Sequence, residues 1–299
     1  MIRQIYRTLI PRTIQSRIDI RRQDEFLRKL RNNILKYLSE NDNREDEDQV
    51  LEVLSFLKKN PLHMFPYNFI HKYDANDIEV HNDQSSGYNY VYYMNKKLFY
   101  PLGWSTENIK YSHTFSCLEQ DKESPHSYAA SSFNYKSDDI VVDAGAAEGN
   151  FSLSVVEKVK KLYIFECSEG WLGPLRKTFE PWSHKVQIIP LRLSDICDSE
   201  STTIDHFFRN KKSPSLLKID VDGGEKKLLD GATEILEGSE DIKVALCTYH
   251  KQNDYKEFHD FLQKLNFRVR TSNGYMIFYL DEPLEKPYLR KALIFASKD

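Results

Sequence analysis

Residues 141–152, VVDAGAAEGNFS, constrain this chain more than any other stretch. An apolar run at 140–142 ends in Asp143, small residues follow with glycines at 145 and 149, and a periodic apolar stretch resumes at Phe151. That order predicts a buried strand, a tight turn and the start of a helix. A glycine turn at the carboxyl end of a buried strand lets a ligand approach the backbone, and the helix behind it offers unpaired N–H groups. Glycines punctuate many such turns, so the text downstream decides the fold.

Downstream, strands and helices alternate. Strands are expected at 161–166, 186–190, 216–220 and 243–248, and helices at 171–179, 225–236 and 254–265. Three more strands are expected at 267–271, 275–280 and 291–297. Alternation at this spacing predicts an α/β unit with a parallel sheet covered by helices, ending in antiparallel strands. The unit begins near Tyr135, and 299 residues leave room for a separate N-terminal addition. Two domains are therefore expected: 1–134, helical with a small β region, and 135–299, the α/β domain.

Within the addition, residues 1–38 carry many arginines among apolar residues, and from Asp19 the spacing fits a helix. It is read as packing on its own protein or a second subunit rather than lying on an anionic membrane surface. An acid-rich loop at 40–52 leads into a helix at 49–59. The aromatic, alternating stretch 69–100 predicts a hairpin or meander, with Asn95 and Lys96 turning between runs. A helix at 106–119 precedes EQDKESPHSY at 119–128.

A formal net charge of -3 gives no global reason to expect nucleic acid or a membrane as partner, so a small molecule is favoured. The four cysteines, 117, 167, 197 and 247, lack CxxC spacing, which predicts reduced thiols in a cytoplasmic protein. No signal peptide or membrane span is expected.

In an open α/β sheet the ligand sits outside the carboxyl ends of the strands. Those ends are acidic here: Asp143, Glu166 and Asp220, with Ser194 and Asp195 after the third strand. Glu166, about twenty residues past the glycine turn, suits ribose hydroxyls. The turn is D-x-G-x-x-x-G, lacking both G-x-G-x-x-G and G-K-[ST]. Glu148 within it would repel a pyrophosphate and suit an ammonium or sulfonium centre. Together these favour S-adenosylmethionine.

VVDAGAAEGNFSL, LYIFE, LSD at 193–195, TTID at 202–205 and LLKIDVDGGEKKLLDGA at 216–232 resemble the FkbM family of S-adenosylmethionine-dependent methyltransferases. The resemblance covers roughly the C-terminal half. It implies a class I, Rossmann-like sheet of seven strands, mostly parallel with an antiparallel C-terminal strand, and methyl transfer to oxygen on a sugar or glycan precursor. It further implies that Asp143, Gly145, Ala146, Glu148, Gly149, Asn150 and Phe151 line the methionine end. Glu166 would hold the ribose, with Cys167 beside it, and Ser194 and Asp195 would lie near the adenine. One residue departs from the family pattern: Asp222 stands where a glutamate is usual, a carboxylate shorter by one methylene.

Methyl transfer from a sulfonium is an in-line displacement, so the protein must align the acceptor and help remove its proton. Candidate bases are Asp220, Asp222, Glu225 and His250; the three carboxylates could instead take Mg2+. His126 and Tyr128 are expected to contact the acceptor if 119–128 folds back over the first strand. Two alternatives stand beside O-methylation: N-methylation of a small molecule, and a catalytically silent cofactor- or partner-binding module in a glycan-assembly complex. A homo-oligomer is a further expectation.

Overall fold

A computed structural model describes residues 17–41, 46–129, 135–280 and 284–298. The first sixteen residues, with their basic leading segment, lie outside the described part, as does much of the acid-rich loop.

Helix α1 (Arg17–Glu40) packs on the next helix, α2 (Glu47–Lys59), and buries Ile34 and Leu38. Spacing of apolar residues every three or four positions gives α2 one buried face: Val50, Val53, Leu54 and Leu57. Each such side chain contributes about 1.5–3 kcal/mol on full burial. Acids in its first turn and lysines in its last complement the helix dipole. Arg31 crosses between the helices, its Nε donating to the Leu57 carbonyl at 2.7 Å.

The aromatic stretch forms a three-stranded antiparallel meander, β1 (His81–Asn82), β2 (Asn89–Tyr93) and β3 (Lys96–Phe99). The turning residues are Met94 and Asn95, one position earlier than expected. Both have positive φ, 51° and 62°, which two-residue hairpins require to match strand twist. Helix α3 (Thr106–Glu119) starts where the Ser105 hydroxyl accepts the Asn108 N–H. Its buried face is unusually polar, with Ser112, His113, Ser116 and Glu119. The site below explains why.

The α/β unit contains β4 (Ile140–Ala144), α4 (Asn150–Val155), β5 (Lys161–Phe165), α5 (Glu169–Thr178) and β6 (Val186–Ile189). A small parallel pair, β7 (Arg192–Leu193) and β8 (Ser201–Thr202), leads to α6 (Ile204–Phe208) and β9 (Leu216–Ile219). Then come α7 (Glu225–Asp230), α8 (Thr233–Gly238), β10 (Lys243–Cys247), α9 (Asp254–Lys264), β11 (Arg268–Thr271) and β12 (Leu293–Ser297). The seven-stranded sheet runs β11-β12-β10-β9-β4-β5-β6, with β12 antiparallel to both neighbours and the other pairings parallel. The mostly parallel sheet is thus as the sequence led one to expect.

Two expectations fail in detail. The helix expected at 225–236 is split in two at Gly231, a position closed to any side chain because a Cβ there would lie 2.0 Å from the Ser194 carbonyl oxygen. Residues 275–280 form no strand: Met276 pairs with Arg290 in a single bridge, and Ile277 donates its N–H to Met64 of the N-terminal addition instead.

Each central strand is buried on both faces. Val141, Leu162, Leu216 and Ala245 face a core continuous with the N-terminal helices and Tyr100. Val142, Tyr163, Leu217 and Val244 face the opposite core against α7, α8 and α9. The N-terminal addition therefore shares the core of one sheet face. Among the described residues, no helix is long and apolar enough to cross a membrane.

Candidate active site

At the centre of the sheet, β4 and β9 are in register with Asp143 opposite Lys218. Both side chains are buried, and Lys218 Nζ lies 2.9 Å from Asp143 Oδ1 and donates to the Gly145 carbonyl at 2.9 Å. Asp143 also accepts from the Ser152 hydroxyl at the start of α4. This pair ties strand, turn and helix together. Asp143 braces the turn from beneath and lines neither cavity described below.

Gly145 (φ 77°) closes the turn against β9, where an added Cβ would meet the Asp220 carbonyl oxygen at 1.8 Å. Gly149 (φ 83°) packs against Leu175 and Phe179 of α5. Ala147 takes a positive φ of 48° without being glycine, a conformation held only where the surroundings impose it. Its N–H is received by Glu166 Oε2 at 3.0 Å, while Glu166 Oε1 receives the Ser168 N–H at 2.6 Å. Glu166 thus sits at the end of β5 with both oxygens oriented. Glu148 is held by the Ser112 hydroxyl at 2.8 Å and by Ser116. The polar face of α3 is buried because it receives this carboxylate.

Two cavities open at these strand ends. One, about 270 Å³, is walled by Phe165, Cys167, Leu191, Arg192 and Leu193 with Ala144, Gly145 and Asp220–Asp222. The other, about 40 Å³, is walled by Glu119, Gln120, His126, Tyr128, Asn150, Lys218 and the 145–148 turn. Gly145, Asp220 and Asp222 line both. Phe151 lies behind the smaller cavity, its ring 5.3 Å from that of Tyr128. Ser194 and Asp195 are in neither lining; Ser194 donates to Asp195, and Leu191–Leu193 form that wall instead. A third cavity of about 770 Å³ lies across the 119–129 segment, between the N-terminal addition and the β11 edge, touching none of the acidic strand ends.

The 119–128 segment returns to the sheet at the ends of β9 and β10, beside the turn that follows the first strand. Tyr128 donates to Asp220 Oδ2 at 3.2 Å, and His126 Nε2 lies 3.6 Å from the same oxygen. His126 is enclosed between the rings of Tyr128 and Tyr249, and burial pushes its pKa down despite Asp220 nearby. Tyr249 donates to Asp220 Oδ1 at 3.4 Å. Burial alone would raise the Asp220 pKa, but His126, Lys218 and His250 hold it well below the usual carboxylate range. Glu119 is pushed well above its ordinary value by burial and then by Asp220 and Glu148. It faces the smaller cavity with its charged form disfavoured.

Beyond β10, His250 is 3 % exposed, with Nδ1 3.0 Å from Glu225 Oε1 and Nε2 3.6 Å from Asp220 Oδ1. Burial disfavours its charge, but Glu225, Asp220 and Asp222 more than offset this and raise its pKa to about 9. At neutral pH the ring is an imidazolium with no lone pair to receive a proton. Glu225 is wholly enclosed and receives the Val221 and Gly223 N–H groups. Of the four candidate bases only Asp220 and Asp222 line the cavities. Asp222 adopts φ 54° and directs a partly exposed carboxylate toward both. The carboxylates of Asp220, Asp222 and Glu225 do not make an oxygen-only set, since His250 stands among them, so the donor chemistry does not fit Mg2+.

A family model, the methyltransferase FkbM domain, matches residues 86–275. The chain belongs to the FkbM methyltransferase family. The match begins inside the meander, so the polar face of α3 and the 119–128 segment fall within the family domain. Comparison with curated proteins found no match. Among solved structures, the chain is similar to an FkbM methyltransferase from Methylobacillus flagellatus at 13 % identity and TM-score 0.49, covering 88 % of this chain and 58 % of that one. This chain thus spans little more than half the length of that protein. It is also similar to an rRNA methylase from Streptococcus thermophilus (16 % identity, TM-score 0.39, 55 % and 89 % covered). A precorrin-6y C5,15-methyltransferase from Geobacter metallireducens is a third (15 %, 0.40, 55 % and 84 %).

Proposed function

We propose that this FkbM-family protein transfers a methyl group from S-adenosylmethionine to a hydroxyl of a sugar or glycan precursor, with Asp222 as the base. The observation that carries the reading is the meeting of the two cavities at Gly145, Asp220 and Asp222. The larger cavity, with apolar Phe165, Leu191 and Leu193 and with Glu166 at the adjoining strand end, fits an adenosine. Residues 145–150 would hold the methionine portion. When bound, the cofactor supplies an electrophilic methyl group on a sulfonium. Carboxylates of Glu148, Asp220 and Asp222 around the junction suit that positive centre.

The smaller cavity, about 40 Å³ and shared with the 146–150 turn, has room for a single acceptor hydroxyl rather than a sugar ring. Its walls carry an amide on Gln120, the Tyr128 hydroxyl and the Glu119 carboxyl, groups able to hydrogen-bond a hydroxyl. Asp220 is held by Tyr128, Tyr249 and two histidines and is therefore a poor base; its work is to orient the groups around it. Asp222, at the mouth, receives the acceptor's proton as oxygen, methyl and sulfur come into line. The four cysteines are all unpaired, which supports a reducing, cytoplasmic setting.

Transfer of labelled methyl from S-adenosylmethionine onto sugar nucleotides and lipid-linked glycans, with and without chelator, tests this. Asp222→Asn should lower kcat by roughly 100-fold or more, as loss of a general base does, with cofactor affinity falling far less. Absence of cofactor binding by calorimetry would overturn the whole reading. Full turnover by Asp222→Asn would overturn the base assignment alone.

A further inference from the structure

The loop after β9 bears both carboxylates of the junction and turns through left-handed backbone, at Gly223 (φ 87°) without cost but at Asp222 (φ 54°) against the preference of a residue with a side chain. Something must hold it. Glu225 Oε1 receives the N–H groups of Val221 at 3.0 Å and Gly223 at 3.2 Å. The same oxygen lies 3.0 Å from His250 Nδ1. The opposite ring nitrogen, Nε2, faces Asp220 Oδ1 at 3.6 Å and Asp222 Oδ1 at 4.0 Å. One enclosed imidazole therefore spans from the carboxylate that caps the loop to the two carboxylates the loop carries.

We propose that His250, backed by Glu225, is a positioning residue that fixes the 220–224 loop and keeps the Asp220 and Asp222 carboxylates at the junction of the two cavities. Its effect on turnover rests on the base assignment above, but its effect on the loop does not. The ring is locked by its surroundings, packed against Tyr249 at 4.2 Å and edge-on to Phe278 at 5.5 Å between centroids. Arg290 anchors the segment by donating to the Tyr249 and His250 carbonyls. Asp254 caps the next residue by receiving the Lys251 N–H, and Lys251 Nζ reaches the Gly223 carbonyl from outside.

A histidine meets this geometry in a way a neutral amide cannot. As the cation it places positive charge on a rigid ring against carboxylates at both ends, at ion-pair distances rather than in hydrogen-bond geometry. Charged or titratable groups facing it are Glu225, Asp220 and Asp222 at the ion-pair distances above, with His126 across Asp220 and Asp254 from α9. The acids outnumber the cation, so its protonated form is the one the loop selects.

Amide hydrogen exchange by NMR on the full chain tests this without an acceptor. In His250→Gln, the Val221 and Gly223 amides should exchange at least tenfold faster while Leu217 and Lys218 in β9 keep wild-type protection. Glu225→Gln should do the same. In the wild type, corrected for intrinsic exchange, protection at 221 and 223 should fall relative to β9 as pH passes about 9, a reading that needs no variant to fold. With an accepted substrate, His250→Gln should lower kcat more than it changes KM. Unchanged exchange at 221 and 223, or equal acceleration of β9, would overturn the proposal. Asp222→Asn separates the two readings: full turnover there defeats the base assignment, while normal exchange at 221 and 223 leaves the role of His250 intact.

Discussion

The buried imidazolium at His250 makes stability depend on pH in a defined window. Its pKa rises from 6.5 to about 9 in the folded protein, against burial, because Glu225, Asp220 and Asp222 surround it. Below pH 6.5 both folded and unfolded chains carry the proton, and the stabilisation from these partners is complete. Between 6.5 and 9 the folded chain holds a proton that the unfolded chain has released, so stability falls as pH rises. At about 1.4 kcal/mol per pH unit the loss approaches about 3 kcal/mol by pH 9. For a chain of 299 residues that corresponds to a drop in Tm of about 5 °C. His63 and His113, both lowered to about 4 by burial, titrate below this window, and the raised lysines and tyrosines lie above it. The assay is urea unfolding and thermal melting of wild type and His250→Gln at intervals from pH 6 to 9.5. The difference between the two proteins cancels titrations remote from the ring and should shrink steadily across the window. A constant difference would refute the account of His250 as a cation held by its acids.

Two further outcomes probe the turn and the larger cavity. Gly145→Ala forces a Cβ to within 1.8 Å of the Asp220 carbonyl oxygen at a φ of 77° and should cost on the order of 3 kcal/mol, with calorimetric binding of S-adenosylmethionine lost. Wild-type stability and binding in that variant would remove the turn from the site. The exposed Cys167 thiol lines the larger cavity whereas Cys197 lines neither, so iodoacetamide labelling of Cys167 should slow severalfold with S-adenosylmethionine while Cys197 reacts at an unchanged rate. Equal rates at Cys167 with and without cofactor would move the adenosine elsewhere.

Much of the sheet was legible because buried parallel strands are short apolar runs closed by turn residues, as at 140–144, 161–165 and 243–247. The failure at 275–280 has a local cause: its alternating aromatics resemble a strand, but its hydrogen bonds go to Arg290 and Met64 rather than to a neighbouring strand. The wall formed by Leu191–Leu193 was passed over for Ser194 and Asp195, since three residues of ordinary composition carry no signal of the cavity they border. Asp143 carried the opposite problem. Its strand-end position advertised a ligand contact, and only the register opposite Lys218 shows a carboxylate committed to bracing the turn.

By itself the sequence determined the order of elements, the glycine turn and the acids at the strand ends, because periodicity and turn chemistry are local properties. Tertiary structure alone decided which of those acids share a space and in what state of charge. Glu119 and His250 are single residues in the text, one on a helix and one past a strand. Folding buries the first and sets it near Asp220 and Glu148, which raises its pKa, and encloses the second between Glu225 and two aspartates, which keeps it charged. A pKa is set by burial and by neighbours within a few ångströms, and those neighbours come from segments up to a hundred residues apart.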